Sequence, residues 1–262
     1  MMSQWVPLSG LVSNNRFSNL FLLLFLTVQS SRPAYCGPLT LSVGLHEMSK
    51  ERLARVFELS YECLRQKING GRIHVENEAS LQLQFAGIIK AVGELLEVHR
   101  NEFFFIELEK PVELVESLFG KSGTTRAKID IYCGYTNIDT KESQSIAIEM
   151  KFFKKKNHRE PNNRYDVYAD IHNLENYGKF ANCCYMVVAT DHDHYVSQRS
   201  YSPDTGDFDF REGVQYAAGT LATYRTPVPY GGPISLRGSY QFSWDTAAGG
   251  LHFLRLPVDP TK

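Results

Sequence analysis

Charged side chains stand inside two largely apolar segments of the chain. Asp130 interrupts the first segment, and Glu149 and Lys151 flank Met150 in the second. Because side chains two residues apart on a strand point to the same face, Glu149 and Lys151 project together. If the two segments pair as neighbouring strands, Asp130 lies beside Glu149. Two carboxylates and an ammonium group would then share one patch.

Adjacent carboxylates repel each other unless a positive charge lies between them. A hard divalent cation with oxygen ligands meets this need. Mg²⁺ characteristically binds through one or two carboxylates together with the phosphate of a substrate. The pair Asp130 and Glu149 is therefore a candidate Mg²⁺ site.

The surrounding sequence predicts the elements that hold these residues. Apolar runs at 127–133 and 145–153 predict two strands, joined by a stretch rich in turn formers. Helical spacing of apolar residues predicts helices at 50–68, 77–99 and 165–180. Further strands are expected at 103–109, 185–190, 239–244 and 251–258, with Pro111 ending the first of them and a short helix at 112–119.

Asp130, followed after about eighteen residues by Glu149-x-Lys151 on an apolar strand, resembles the PD-(D/E)XK nuclease superfamily. The resemblance covers roughly residues 76–190 and departs from the family pattern at Ile129, where proline is usual. It implies an α/β fold with a restriction-endonuclease-like core. In that core a mixed β-sheet is flanked by helices on both faces, and the site lies at one edge of the sheet.

The resemblance also implies a glutamate on the helix before the first catalytic strand. Glu78, with Gln82 one turn later on the same face, matches that placement. Favourable interaction of an acidic side chain with the helix dipole explains the same residue equally well. Glu78 is therefore either a contributor to the site or an ordinary acid at a helix start.

The activity implied by the resemblance is Mg²⁺-dependent hydrolysis of phosphodiester bonds, with DNA as the expected substrate and Mn²⁺ as a substitute metal. An endonuclease is favoured over an exonuclease. Asp130 and Glu149 would ligate the metal, joined by the main-chain carbonyl of Met150. Lys151 would orient the attacking water or stabilise charge on the phosphate. Glu78 would add a ligand or fix the others.

A nucleic-acid partner requires a local basic patch, because the net charge of the chain is only −1. One basic run follows the second strand directly, comprising Lys154, Lys155, Lys156, His158, Arg159 and Arg164. We expect Lys154, Lys155, Lys156 and Arg159 to contact backbone phosphates without reading bases. A solvated loop is the competing interpretation.

Two further sequence patterns each allow a structural and a functional interpretation. Four arginines alternate with four tyrosines near the carboxyl end, at Arg199, Arg211, Arg225 and Arg237 and at Tyr201, Tyr216, Tyr224 and Tyr230. Such residues can grip single strands or flipped bases, although an irregular loop covering the core is favoured. The alternating segment 191–194 (Asp-His-Asp-His) is interpreted as a polar loop, because alternate residues of an extended segment point in opposite directions.

Residues 1–47 differ from the rest and are expected to lie outside the fold, leaving a domain at 48–262. The apolar run 20–28 is too short to span a bilayer, and we expect no stable membrane insertion of the mature domain. The run resembles a signal peptide, which would make the protein exported, but a start at Met48 is favoured. The five cysteines lack zinc-site spacing and suit a cytoplasmic protein.

Two alternatives to a nuclease remain open. One is a catalytically inactive nucleic-acid-binding module on the same fold. The other is a non-nuclease globular protein in which Asp130, Glu149 and Lys151 form a structural ion-pair cluster. A homodimer is compatible with each of these, and the sequence identifies no base-reading residues.

Overall fold

The computed structural model describes residues 39–113, 126–246 and 250–261, and the account below concerns these residues. Three α-helices are present there: α1 (Leu39–Asn69), α2 (Glu78–Leu95) and α3 (Glu160–Glu175). The longer strands are β1 (Glu102–Glu113), β2 (Arg126–Asn137), β3 (Ser143–Phe153) and β4 (Cys183–Thr190). The remaining strands are β5 (Gln215–Tyr216), β6 (Leu221–Ala222), β7 (Ile234–Ser235), β8 (Tyr240–Gln241), β9 (Trp244–Asp245) and β10 (His252–Val258).

Six of the strands form one mixed sheet in the order β1-β2-β3-β4-β10-β9. Strands β3 and β4 are parallel, whereas the other neighbours in this sheet are antiparallel. A parallel pair needs a crossover connection, and α3 lies in the connection between β3 and β4. The predicted α/β class with a mixed sheet is therefore confirmed.

The sheet separates two apolar cores. On β3, Ile146, Ile148 and Met150 point into a core that they share with side chains of α1 and α2. Ala147 and Phe153 point into the opposite core, which contains the buried side chains of α3 and of the irregular segment after β4. Alternation along the strand thus places helices on both faces of the sheet, as predicted.

Helix α2 is fixed at both ends by particular side chains. At its start, the side chain of Asn77 accepts a hydrogen bond from the Ser80 amide at 2.8 Å, and the Ser80 hydroxyl accepts one from the Asn77 amide at 3.1 Å. This reciprocal capping satisfies two amides that the helix leaves unpaired. Near its end, Gly93 packs directly on the Phe104 ring, where a Cβ would lie 2.5 Å from ring carbons.

Several elements differ from their predicted bounds. Helix α1 starts at Leu39 rather than at residue 50, while the domain boundary at 48 stays a prediction. Helix α3 starts at Glu160 rather than 165, because Pro161 fits the first turn of a helix, and it ends at Glu175 before a 3₁₀ turn. The apolar run 20–28 lies outside the described residues.

Strand β1 continues through Pro111, which pairs with Lys128, so the prediction that Pro111 ends this strand was wrong. An edge strand tolerates proline because its outer side needs no amide donor. Residues 112 and 113 of the predicted short helix belong to β1, and 114–119 lie outside the described residues. The predicted hairpin is divided, because β9 pairs with β10 whereas β8 pairs with β5.

Within the described residues, no helix combines the length and the apolar character needed to cross a membrane. Four cysteines of this part of the chain, Cys63, Cys133, Cys183 and Cys184, are free thiols.

Candidate active site

The β2–β3 ladder ends where the candidate site begins. Its last paired residues at this end are Ile131 and Ile148. One residue further along β2, the Oδ2 atom of Asp130 accepts a hydrogen bond from the Met150 amide at 2.7 Å. The carboxylate thus takes the place of a main-chain acceptor. This bond brings Asp130 beside the segment that carries Glu149 and Lys151.

Glu149 is a buried carboxyl group, with only 5% of the residue exposed. Its Oε1 atom accepts a hydrogen bond from the Tyr177 hydroxyl at 2.9 Å. Burial holds the pKa of Glu149 well above its usual range, and the negative charges of Asp130 and Asp170 raise it further. The free carboxyl group therefore resists ionisation.

Asp130 shows the same effect to a smaller extent. Burial raises the pKa of Asp130 to about 6, although the ammonium of Lys151 and the Met150 amide act in the opposite direction. Two carboxyl groups with raised pKa values thus face one small region. A divalent cation would reverse this effect by stabilising both ionised forms.

Lys151 is anchored by several acceptors. Its Nζ atom lies 2.8 Å from Oδ2 of Asp170 and 3.8 Å from Oε1 of Glu78, and it donates to the Met150 carbonyl at 3.0 Å. Burial by itself would lower the pKa of Lys151, but the charges of Asp170, Glu78 and Asp130 together raise it well above its usual range. The lysine therefore carries a positive charge at a fixed position.

Helix α2 contributes two side chains to the same place. Glu78 accepts a hydrogen bond from the Phe152 amide at 3.3 Å through Oε2, besides its contact with Lys151. Gln82, one turn later, donates its side-chain amide to the main-chain carbonyl of Asp130 and to Oε1 of Glu109 at 3.1 Å. The first two turns of α2 are thereby tied to both β2 and β3.

Sequence reasoning missed two participants, Asp170 and Tyr177. Both lie in the helix predicted at 165–180, for which no functional residue was expected, yet Asp170 binds Lys151 and Tyr177 binds Glu149. Asp170 is 4% exposed and stands between buried Ala169 and Ile171. Because a carboxylate is almost never buried without a partner, its position among apolar neighbours was a usable signal.

The oxygen atoms at the site are the type of ligand that a hard divalent cation prefers. The carboxylates of Asp130 and Glu149 and the carbonyl of Met150 are all oxygen ligands. The raised pKa values of the two carboxyl groups are of the kind that a bound cation would lower. In the described part of the chain, no three Asp, Glu, His or Cys side chains converge closely enough to enclose a metal ion by themselves. Mg²⁺ commonly retains several waters, which would complete its coordination.

The basic segment after β3 is partly free and partly paired. Lys155 and Lys156 are exposed on a 3₁₀ turn at Lys155–Asn157. Lys154 binds Oε2 of Glu76 at 2.8 Å, so its charge is already shared. Arg159 keeps 54% of its side chain exposed and contacts the Tyr230 hydroxyl at 3.3 Å.

Arg164 does not belong to this basic surface, contrary to its inclusion in the basic run. It is 2% exposed and donates hydrogen bonds to the carbonyls of Thr205 at 2.9 Å and Phe208 at 3.2 Å. Its guanidinium carbon also lies 3.7 Å from the centre of the Tyr201 ring. Arg164 therefore holds the irregular segment after β4 against α3.

The arginine- and tyrosine-rich segment is mostly structural. Arg211 is paired with Asp209, Arg225 binds Asp207 at 2.8 Å, and the Arg237 amide donates to Glu175 at 2.9 Å. These contacts are compatible with the favoured interpretation of the segment as a cover for the core. In the segment 191–194, Nε2 of His192 lies 3.1 Å from Glu160, and Asp193 lies 3.2 Å from His252. These contacts are likewise structural.

Comparisons with known proteins gave no relative, since no protein-family model, curated protein or solved structure matches the chain. The function must therefore be argued from the geometry of the site.

Proposed function

We propose that this protein is a Mg²⁺-dependent nuclease with a restriction-endonuclease-like core, acting most readily on DNA and as an endonuclease. The observation that carries the proposal is the convergence of Asp130, Glu149 and Lys151 where the β2–β3 ladder ends, with Glu78 reaching the same point from α2. The proposed metal is Mg²⁺, and Mn²⁺ is expected to replace it.

Each residue has a role that follows from its contacts. Asp130 and Glu149 would hold the metal ion, with the Met150 carbonyl beside them. The bound metal would supply a more acidic water and would offset phosphate charge. Lys151, fixed by Asp170, would keep its ammonium directed toward charge that grows on the phosphate. Glu78 would position this lysine and the end of β3.

The structural ion-pair alternative predicts a different electrostatic pattern. Carboxylates that serve as partners in stabilising ion pairs have lowered pKa values, because a nearby cation favours their charged form. Here the pKa values of Asp130 and Glu149 are raised, and Glu149 is hydrogen-bonded to a neutral tyrosine. Lys151 and Asp170 form a true ion pair, whereas the other two carboxyl groups do not fit that description.

Only a cleavage assay distinguishes a nuclease from a catalytically inactive nucleic-acid-binding module. The full chain would be incubated with plasmid, single-stranded DNA and RNA in Mg²⁺, in Mn²⁺ and in chelator. We expect metal-dependent cleavage that falls by about 100-fold or more in Glu149→Gln and in Asp130→Asn. The exposed Glu142→Gln, on the β2–β3 turn, is the matched control and should retain activity.

Wild-type protein that binds nucleic acid but cleaves none under any of these conditions would establish the inactive module instead. Cleavage that persists unchanged in both site variants would show that the active site lies elsewhere.

A further inference from the structure

One tyrosine of the irregular segment differs from the others. Tyr230 is 47% exposed, whereas Tyr216 and Tyr240 are buried. Its hydroxyl accepts a hydrogen bond from Arg159 at 3.3 Å and donates one to Oδ1 of Asp166 at 3.3 Å. The polar end of the side chain is therefore fastened, while much of the ring stays accessible.

The loop that carries Tyr230 is held against α3 by a second aromatic ring. Buried Tyr165 meets Tyr230 edge to face, with ring centres 5.5 Å apart, and stacks on Tyr224 at 5.7 Å. The next residue, Gly231, passes so close to Tyr165 that a Cβ would lie 2.1 Å from the ring. An aromatic ring presented on such a fixed loop loses little conformational freedom when it binds a ligand.

Helix α3 connects this ring to the candidate active site. Asp170 binds Lys151 at 2.8 Å, and Asp166, one turn earlier on the same face, binds Tyr230. Four residues of an α-helix advance by about 6 Å, so Tyr230 and Lys151 bind carboxylates on successive turns of α3. Arg159, which touches Tyr230, also continues the exposed basic segment of Lys155 and Lys156.

The charges around Tyr230 suit a base better than a phosphate. Asp166 places a carboxylate beside the Tyr230 hydroxyl, and a phosphate directly above this carboxylate would be repelled. Arg159, 4.0 Å from Asp166, offsets this charge and lies toward the basic segment. A flat, uncharged base could stack on the tyrosine while its phosphates lie over Arg159 and the exposed lysines.

We propose that Tyr230 and Arg159 form a base-stacking subsite that receives an unpaired base next to the scissile phosphate. This inference rests on the proposed nuclease function and adds a substrate class, namely single-stranded or locally unpaired nucleic acid. Bases in an intact duplex are already stacked on their neighbours and do not reach the ring without being unpaired. The protein therefore prefers single-stranded over intact double-stranded substrate.

The test compares the full-length wild type with Tyr230→Ala and Tyr230→Phe. Binding of a labelled single-stranded oligonucleotide and of its duplex is measured by fluorescence anisotropy in chelator, and cleavage of both is measured in Mg²⁺. We expect Tyr230→Ala to weaken single-strand binding by about tenfold, equivalent to about 1.4 kcal/mol, and to leave duplex binding unchanged. Tyr230→Phe keeps the ring and should stay close to wild type.

Equal loss in Tyr230→Ala and Tyr230→Phe would overturn the inference, because the hydroxyl contacts and not the ring would then matter. An unchanged affinity in Tyr230→Ala, or an equal loss for single strand and duplex, would overturn it as well. Unchanged thermal melting of both variants excludes a general effect on folding.

Failure of this inference is distinguishable from failure of the proposed function. If the wild type cleaves nucleic acid and Tyr230→Ala behaves like it, the nuclease stands and the subsite is refuted. If the wild type binds single strands through the Tyr230 ring but cleaves nothing, the subsite stands and the nuclease is refuted. If the wild type neither binds nor cleaves, both are refuted.

Discussion

Glu149 and Asp130 are the residues at which the local chemistry is most constrained. Burial raises the pKa of both carboxyl groups, and the negative charge of Asp130 raises the pKa of Glu149 further. Ionisation of both carboxyl groups therefore destabilises the fold unless a cation is bound between them. This behaviour suits the proposed metal site, because binding of a cation would offset the local destabilisation.

Glu149→Gln should stabilise the protein in chelator at pH 8. Glutamine has the same shape and can still accept a hydrogen bond from Tyr177, and it removes the cost that the raised pKa of Glu149 adds to folding at this pH. We expect an increase of about 1 kcal/mol, or roughly 2–4 °C in Tm, measured by thermal melting. Addition of Mg²⁺ should raise the Tm of the wild type and not that of the variant. A lower Tm of the variant in chelator would instead support a structural cluster.

Lys151→Met should strongly destabilise the protein. The substitution removes the ammonium partner of Asp170, which is buried on α3, and loss of one partner of a buried ion pair costs about 3–5 kcal/mol. Asp170→Asn in the same chain should restore most of this loss. Urea unfolding of both single variants and of the double variant gives the coupling energy. Additive losses would show that the two side chains do not depend on each other.

At the scale of the elements, the site depends on how closely β2 approaches β3 and α2 approaches β1. Gly134 in β2 lies against the main chain of Gln144, where a Cβ would meet the carbonyl oxygen at 2.0 Å. Gly93 in α2 has the corresponding role against Phe104. Because Glu78 and Gln82 reach the site from α2, the placement of this helix determines their contacts with β2 and β3.

Gly134→Ala and Gly87→Ala should have opposite effects. In β2, the new methyl group of Gly134→Ala would force the strands apart, and we expect a loss of several kcal/mol. In α2, nothing lies within 4 Å of a Cβ at Gly87, so alanine should stabilise the helix by about 0.5–1 kcal/mol. Urea unfolding measures both, and a Gly134→Ala variant as stable as the wild type would contradict the packing described for β2.

The sequence predicted the elements around the site because their signals are local. The alternation in 126–153 indicated two strands and the shared face of Glu149 and Lys151. Asp170 was missed because its partner lies nineteen residues away in sequence and is reached only through the crossover of α3. The position of β10 beside β4, after a long irregular segment, likewise depends on contacts that no local pattern encodes.

At the scale of the whole molecule, stability and metal binding should share one pH dependence. The folded pKa of Asp130 is about 6, above the value of about 3.9 of an unfolded aspartate. A raised folded pKa gives a stabilising contribution that is complete below about pH 4 and is lost as the pH rises through about 6. In chelator, the stability difference between Asp130→Asn and the wild type should therefore grow in favour of the variant over this range.

Urea unfolding between pH 4 and pH 8 measures this difference, and the comparison cancels the carboxylates whose pKa values are lowered elsewhere, such as Asp207 and Glu160. Metal binding must displace the same protons, so its apparent affinity should rise through the same interval. A pH-independent difference would show that Asp130 ionises in the fold as it does in water.

Calorimetric titration of Mn²⁺ into the full chain tests the central claim most directly, because it requires no knowledge of the substrate. The account predicts specific binding by the wild type with release of protons, seen as a heat that changes with the ionisation enthalpy of the buffer. Binding should be lost in Asp130→Asn and in Glu149→Gln and retained in the exposed Glu142→Gln. No specific binding by the wild type, or equal binding by all four proteins, would contradict a metal site at Asp130 and Glu149.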